Sequence, residues 1–319
     1  MAVFNTEMYL RKCIQSLIDQ TFSQWELICI NDGSTDGSLL VLNEFADKDP
    51  RIQVYSQPNS GRHAVPFNKA VELAKGEFIF SLDSDDYIST DFLENAYNRI
   101  IETNADLCLP ELLFIQVDGK ESHRIGPYNN DYDIILSNKK AVELSLDWQI
   151  HGVGLWRASI IKEIKSDEDG FSVEYSARLR FLKCNKVVFS KGQYYYLQHP
   201  NATTKKLGLR QFYYIELDYK LVRLLRDNQF DNSVLVNFEW QRIARLIQTA
   251  RLYYSKKQLL SKENIKTIKL LIKKSYNDIY ISLCKEKLNE LSLKKKLRYK
   301  ALFLNFQIFK LYCYFKTNY

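Results

Sequence analysis

The chain has 319 residues, 46% of them apolar and 26% charged, with a net charge of +7. That balance excludes a disordered or low-complexity polymer, and the length suits one large domain or a domain with an appendage. The positive excess is modest and accompanied by no reader motif, which argues against nucleic-acid binding.

In chain order, Leu10, Ile14, Leu17 and Ile18 recur at helical spacing behind Asn5 or Thr6, either of which can cap. "WELICI" reads as a buried strand bounded by the turn cluster "NDGSTDGS". A helix over "LLVLNEFADK" leads to the strand "RIQVYSQ", then a helix over "VPFNKAVELAKG" closed by Gly76. "EFIFSLD" reads as a strand, "DFLENAYNRIIE" as a helix and "DLCLPELLFIQV" as a strand. Such alternation predicts a mostly parallel sheet covered by helices, with ligands at the carboxyl ends of its strands. From Asp118 to Lys165 the pattern is irregular and aromatic. A helix around "VEYSARLRFLKC" precedes a strand pair, "KVVFS" and "QYYYLQH". Beyond "HPNATTKK" the pattern turns helical to the end, which divides the chain into 1–205 and an all-helical region over 206–319.

Six scattered cysteines without a CxxC pair predict reduced thiols in a cytoplasmic protein, and neither a disulfide framework nor a zinc site. "MAVFNTEMYL" lacks the basic head and apolar block of a secretory leader. The late run "ALFLNFQIF" falls short of the roughly 20 residues a spanning helix needs. The expectation is therefore a soluble protein, or one peripheral to the inner face of the plasma membrane. The basic runs "SLKKKLRYK" and "LLIKKS" read first as solvated helix faces, with attraction to an anionic membrane as the sharper alternative.

"SLDSDDYIS" crowds Asp83, Asp85 and Asp86 behind the apolar "FIF". Like charges so close repel unless a cation sits among them. Two carboxylates at a strand end suit magnesium or manganese shared with water and phosphate oxygens. The bland alternative, capping of the next helix, already has a candidate in Asp91 with Glu94 three residues on. For "NDGSTDGS" the bland reading is Asx-turn and N-cap chemistry. No GxxxxGK or strand-borne GxGxxG occurs, which weakens P-loop and dinucleotide readings.

Together, "VFNTEMYLRKCIQSLIDQTFSQWELICINDGSTDGS" and "NSGRHAVPFNKAVELAKGEFIFSLDSDDYI" resemble the N-terminal half of the family-2 inverting glycosyltransferases. The resemblance is dense over about residues 2–116 and weaker as far as "YYYLQHPNATT". It implies a GT-A fold (Rossmann-like α/β), a nucleotide-sugar donor read most commonly as UDP with thymidine-linked donors open, and Mn2+ or Mg2+. Position by position, it implies that Asp32 reads the base, beside backbone at Val3 and Phe4. Asp83 and Ser84 would meet the donor ribose side and Asp85 the metal, while Asp86 supports the loop. His199 in "QHPNATT" matches a late histidine that touches metal or diphosphate; as a plain residue it is equally a loop histidine beside an aromatic strand.

Relatives carry Ala-Arg-Asn where Pro66, Phe67 and Asn68 stand. Asn68 is kept as a donor residue, and Arg62 is the neighbouring candidate for the missing positive charge. Relatives also carry more apolar residues ahead of "MAVFN", so the first strand is short here or upstream residues are missing. Inverting transfer needs a carboxylate base, and Glu174 is the best match, although Val173 precedes it where an acid is common. Asp167, Glu168 and Asp169 compete as a solvated turn, and Glu174 itself reads equally as an acid complementing a helix dipole. Trp148, His151, Trp156 and Arg157 lie where relatives border the acceptor, though tryptophan is more often core.

The resulting expectation is a hexosyltransferase acting on a glycan or lipid-linked glycan in surface polysaccharide synthesis. Rival readings are a catalytically silent sugar-nucleotide scaffold and a nucleotidyltransferase, the latter lacking its glycine-rich basic loop. For the C-terminal helices, core packing or homo-oligomer formation competes with membrane docking by "KALFLNFQIFKLYCYF".

Overall fold

A computed structural model describes residues 1–168, 173–200 and 207–315. The chain divides into two compact units, Met1–Ala202 and Thr203–Tyr319.

The first unit begins with β1 (Ala2–Val3), α1 (Glu7–Ile18), β2 (Leu27–Asp32), α2 (Ser38–Ala46) and β3 (Ile52–Gln57). α1 buries Leu10, Cys13, Ile14 and Leu17 on one face. Every residue of β2 is buried, which is why the strand reads as an unbroken apolar run and not as an alternation. β1, β2 and β3 form a parallel sheet in that order, with Leu27 level with Ile52 and Asp32 level with Gln57.

Next come α3 (Ala64–Leu73), β4 (Phe78–Phe80), β5 (Tyr87–Ile88), α4 (Phe92–Thr103), β6 (Leu107–Gln116) and β7 (Glu121–Ile125). They are followed by α5 (Asn138–Ser145), β8 (Leu155–Arg157), α6 (Ala158–Glu163), α7 (Glu174–Lys183) and β9 (Val187–Gln198). The second sheet runs β4-β8-β6-β9-β5, with β7 beside β6. Of the pairs in that sheet, β6 with β9 is parallel, while the short strands β5 and β8 join antiparallel. The β6–β9 register shifts between Leu109 and Glu111, around Pro110, which has no N–H to give the ladder.

Two local expectations change. "KVVFS" and "QYYYLQH" are one strand: Gly192 is no hairpin turn, and a Cβ there would lie 2.8 Å from the Phe92 Cα, so the glycine makes room for α4. α3 ends at Leu73, where Ala74 becomes extended, ahead of Gly76.

β2 and β4 face one another without pairing. A gap of about 340 Å3 is lined by Met1, Ile28, Phe78 and Phe80, with Val71 of α3, Leu93 of α4 and the polar Glu26 and Glu77 among its walls. The Met1 ammonium donates to Ile28 O at 2.9 Å, and burial lowers its pKa. All six cysteines are buried and unbridged.

The second unit comprises α8 (Leu209–Asp227), α9 (Asn232–Lys256), α10 (Lys262–Asn277), α11 (Lys285–Glu290), α12 (Leu293–Leu304) and α13 (Phe306–Phe315). Phe212, Leu246, Ile268, Ile272, Leu302 and Phe309 meet in its core. Beside it, Arg242 is fully enclosed and pairs with Glu239 at 2.8 Å and with Asp278 O at 2.6 Å, so the buried charge is hydrogen-bonded as burial demands.

Candidate active site

The three aspartates after β4 have three different environments. Asp86 is buried: its Oδ2 accepts from the Tyr194 hydroxyl at 2.6 Å and its Oδ1 from Leu197 N at 2.8 Å. Burial, reinforced by Asp83 and Asp85, pushes its pKa well above the usual carboxylate range. Asp86 therefore anchors the loop to β9. Asp83 stays half-exposed, with one oxygen 3.4 Å from His63 Nε2. Its backbone is fixed by Tyr194, whose hydroxyl accepts from Asp83 N at 3.3 Å, and by the Cys13 thiol, which donates to Asp83 O. Asp85 Oδ2 lies 3.0 Å from Nε2 of His199, a buried ring packed 4.3 Å from Tyr9. His199 Nδ1 is buried without a partner. Ser84 is buried and accepts from Thr6 Oγ1 at 3.0 Å, so its hydroxyl ties the loop to the start of α1.

In "NDGSTDGS" the two aspartates separate. Asp36 takes the turn chemistry, accepting from Ser38 N at 3.0 Å and Glu7 N at 3.1 Å. Asp32 is buried at the end of β2 and accepts from Gln57 Nε2 at 2.7 Å and Ser60 Oγ at 2.7 Å. Gly33, at φ +71°, leaves no room for a Cβ, which would lie 2.6 Å from Asn59 N. Val3 is wholly buried and level with Asn31 in the sheet, while Phe4 is half-exposed.

A cavity of about 150 Å3 is lined by His63, Asp83, Trp148, Glu174, Arg180 and Tyr194, among others. Glu174 opens α7 and pairs with Arg178, whose guanidinium also donates to Ser145 O at 2.6 Å. Burial lowers the pKa of Arg178 to about 10. Arg180 is buried as well, donating to Ile164 O at 2.8 Å and to Ser166 Oγ at 3.1 Å, with its guanidinium 5.3 Å from the Phe67 ring centre. Trp148 is half-exposed and holds φ +63°, a conformation a bulky residue adopts only at a cost.

Several of the expected site residues are engaged by protein partners, although His151 and Trp156 also line this cavity. His151 is buried with Nε2 3.0 Å from Pro110 O, and desolvation drops its pKa to about 4, so it packs as a neutral core residue. Trp156 is buried against Phe181 and donates to Gly152 O at 3.3 Å. Arg157 pairs with Asp106 and Glu77, each at 3.2 Å, away from the cavity. Asn68 is buried and exchanges hydrogen bonds with both backbone groups of Ser166, at 2.8 and 2.9 Å. Arg62 donates to Glu168 O at 3.2 Å. Asp167 N donates to Ser176 Oγ at 3.1 Å, while Glu168 accepts from Asn68 at 2.7 Å. Asp169 lies outside the described residues.

Sequence reading missed His63, Arg180 and Tyr9. The only local signal was the position of His63 beside Arg62; the other two reach the site through packing. Among the described residues no group of three or more His, Cys, Asp or Glu side chains could hold a metal. The Asp85–His199 pair supplies two donors close enough to share one ion, so a fit requires the remaining ligands to be diphosphate oxygens and water, as magnesium prefers.

A family model described as glycosyl transferase family 2 matches residues 1–164. The chain belongs to that family. The poly(ribitol-phosphate) beta-glucosyltransferase of Bacillus spizizenii is 33% identical over 207 residues, 61% of this chain and 31% of its own length. A putative glycosyltransferase EpsH of Bacillus subtilis is 48% identical over 94 residues, 30% of this chain and 27% of its own. The matched segments thus span about a third or less of these relatives. Among solved structures, S. aureus TarS 1–349 in complex with UDP-GlcNAc superposes with a TM-score of 0.69 at 18% identity, covering 98% of this chain and 87% of that one. The mannosyltransferase PcManGT of Pyrobaculum calidifontis, in complex with GDP-Man and Mn2+, gives 0.50 at 14% identity over 86% of this chain and 84% of that one. At these identities the structures establish the family's GT-A fold.

Proposed function

We propose that the chain is a metal-assisted inverting glycosyltransferase that moves a sugar from a nucleotide-diphosphate donor, UDP-linked in this reading, to a hydroxyl of a surface-glycan or lipid-linked glycan acceptor. The observation that carries the reading is the convergence of Asp83, His63 and Glu174 on one cavity beside the Asp85–His199 pair. The names of the relatives support the class of acceptor: one glucosylates poly(ribitol phosphate), and another is a putative teichuronic acid biosynthesis glycosyltransferase of Bacillus subtilis. TarS, crystallised with UDP and with UDP-GlcNAc, supports the donor.

In this mechanism Glu174 takes the proton of the acceptor hydroxyl. The oxygen then bonds the anomeric carbon from the face opposite the diphosphate, whose C–O bond breaks with the electron pair leaving on phosphate. Asp85 and His199 would hold the divalent ion, which offsets charge on that leaving group. Asp32 reads the base, Asp83 meets the ribose, and Trp148 offers its exposed ring to the acceptor.

A thermal-shift panel of nucleoside diphosphates with and without manganese tests the donor half. Stabilisation by UDP only when manganese is present is expected; no shift with any nucleotide would overturn the reading. The second reading, a silent binding module, is favoured by the Glu174–Arg178 pair, which already engages the proposed base. UDP-dependent stabilisation without release of UDP from any UDP-sugar and glycan pair would favour it.

A further inference from the structure

Helices α12 and α13 each present two apolar faces, and the core uses one. Leu302, Phe309 and Cys313 are buried, with Tyr299, Phe303 and Phe306 packed around them. On the other side Leu293, Leu297, Leu304, Ile308, Leu311 and Phe315 are exposed, Leu293 by 73% and Leu304 by 79%. These six recur at helical intervals along both helices, and a turn of about 100° per residue sets Leu293, Leu297 and Leu304 on one stripe opposite Leu302.

The stripe is set in positive charge. On α12, Lys294, Lys296 and Lys300 border it, while Lys295 and Arg298 fall on the side of Leu302, and no Asp or Glu occurs anywhere from 293 to 315. On the helical wheel Lys300 sits at the edge of the stripe beside Leu293, while Lys294 and Lys296 flank the stripe on its two sides. A second copy docking through this face would bring two uncompensated sets of cations together, which like-charge repulsion opposes. A surface that is apolar inside and negative at its rim satisfies both features. α12 has 12 residues and α13 has 10, and no helix of the described residues is long and apolar enough to cross a membrane. The geometry suits a helix lying in an interface.

We propose that the α12–α13 face docks the protein onto a bilayer of anionic phospholipid, its leucine stripe at the acyl boundary and its lysines among the phosphates. The proposal stands apart from the sugar-transfer reading and survives if that fails. The test is co-sedimentation of the full chain with vesicles of phosphatidylcholine alone and of phosphatidylcholine mixed with phosphatidylglycerol. Binding to the anionic vesicles should be at least about tenfold stronger and should weaken as salt rises. Leu304→Glu with Leu311→Glu should abolish it. The triple change Lys294→Gln, Lys296→Gln, Lys300→Gln touches only surface charge beside the stripe and should cut it about tenfold or more with an unchanged melting curve. Three results would overturn the proposal: no binding to anionic vesicles at low salt, equal binding to both vesicles, or a dimer in light scattering that Leu304→Glu dissolves.

Discussion

His199 holds Nε2 3.0 Å from the Asp85 carboxylate while its other ring nitrogen is buried with no partner. A charged group and an imidazole so placed can close on one cation together. Asp85→Asn removes the charge and keeps the shape. It should leave the melting curve within about 0.5 kcal/mol of the parent and lower metal-dependent sugar transfer about 100-fold or more. Manganese titration followed by calorimetry would show the lost affinity; an Asn variant with parental manganese affinity and turnover would remove Asp85 from the ion.

Glu174, in the first turn of α7, lines the cavity it shares with Asp83. Glu174→Gln keeps the hydrogen-bonding shape and cannot take a proton, so kcat should fall by about 10²–10⁴ with donor affinity unchanged. Steady-state kinetics with a nucleotide-sugar panel checks the split, and a fall confined to donor KM would argue for a binding role.

Asp86 satisfies the Tyr194 hydroxyl and Leu197 N at once. Asp86→Ala leaves both without their acceptor in a buried site, at a cost of about 1–3 kcal/mol for each group. Urea unfolding should show this loss; a midpoint matching the parent would mean that water replaces the carboxylate.

Trp148 holds φ +63° with half its surface in solvent. Glycine adopts that conformation freely, so Trp148→Gly should hold stability or raise it by up to about 1 kcal/mol while weakening acceptor binding. Differential scanning calorimetry and acceptor KM separate the two effects. Unchanged KM would leave the ring without a role in acceptor binding.

His151 is neutral in the fold because burial drops its pKa to about 4, from an ordinary 6.5. Below pH 6.5 the unfolded chain gains a proton that the fold refuses, so this contribution to stability is complete above 6.5 and is lost as pH falls toward 4. His151→Gln can still donate to Pro110 O and should flatten the stability profile across that window. Equal slopes in parent and variant would place the sensitivity elsewhere.

What was legible in the sequence is what is written locally. β2 with its loop and β4 with its aspartates follow from apolar runs closed by turn residues, and α1 from its spacing. The residues' own chemistry did not separate Asp83, Asp85 and Asp86, because Tyr194, His63 and His199 reach them from distant positions; only the family resemblance gave Asp86 its place in holding the loop and turned Asp85 and His199 toward a metal. Arg180 beside Phe67 was invisible for the same reason. That His151 and Trp156 are buried among core partners, and that Arg157 spends its charge on Asp106 and Glu77, was not written in the aromatic and basic cluster around them, because those partners lie far off in sequence. The fusion of two predicted strands into β9 depended on a glycine whose neighbour, Phe92, belongs to another element.

β9 grips the aspartate loop at successive points: Gln193 clasps Ser89, Tyr194 and Leu197 hold Asp83 and Asp86, and His199, just past its end, meets Asp85. From the other side Thr6 and Cys13 hold the same loop through Ser84 and the Asp83 carbonyl, so it is pinned between two elements. Any displacement of β9 against α1 would therefore have to break a hydrogen bond on one side of the loop or the other, which ties the placing of the acidic edge to how these two elements pack.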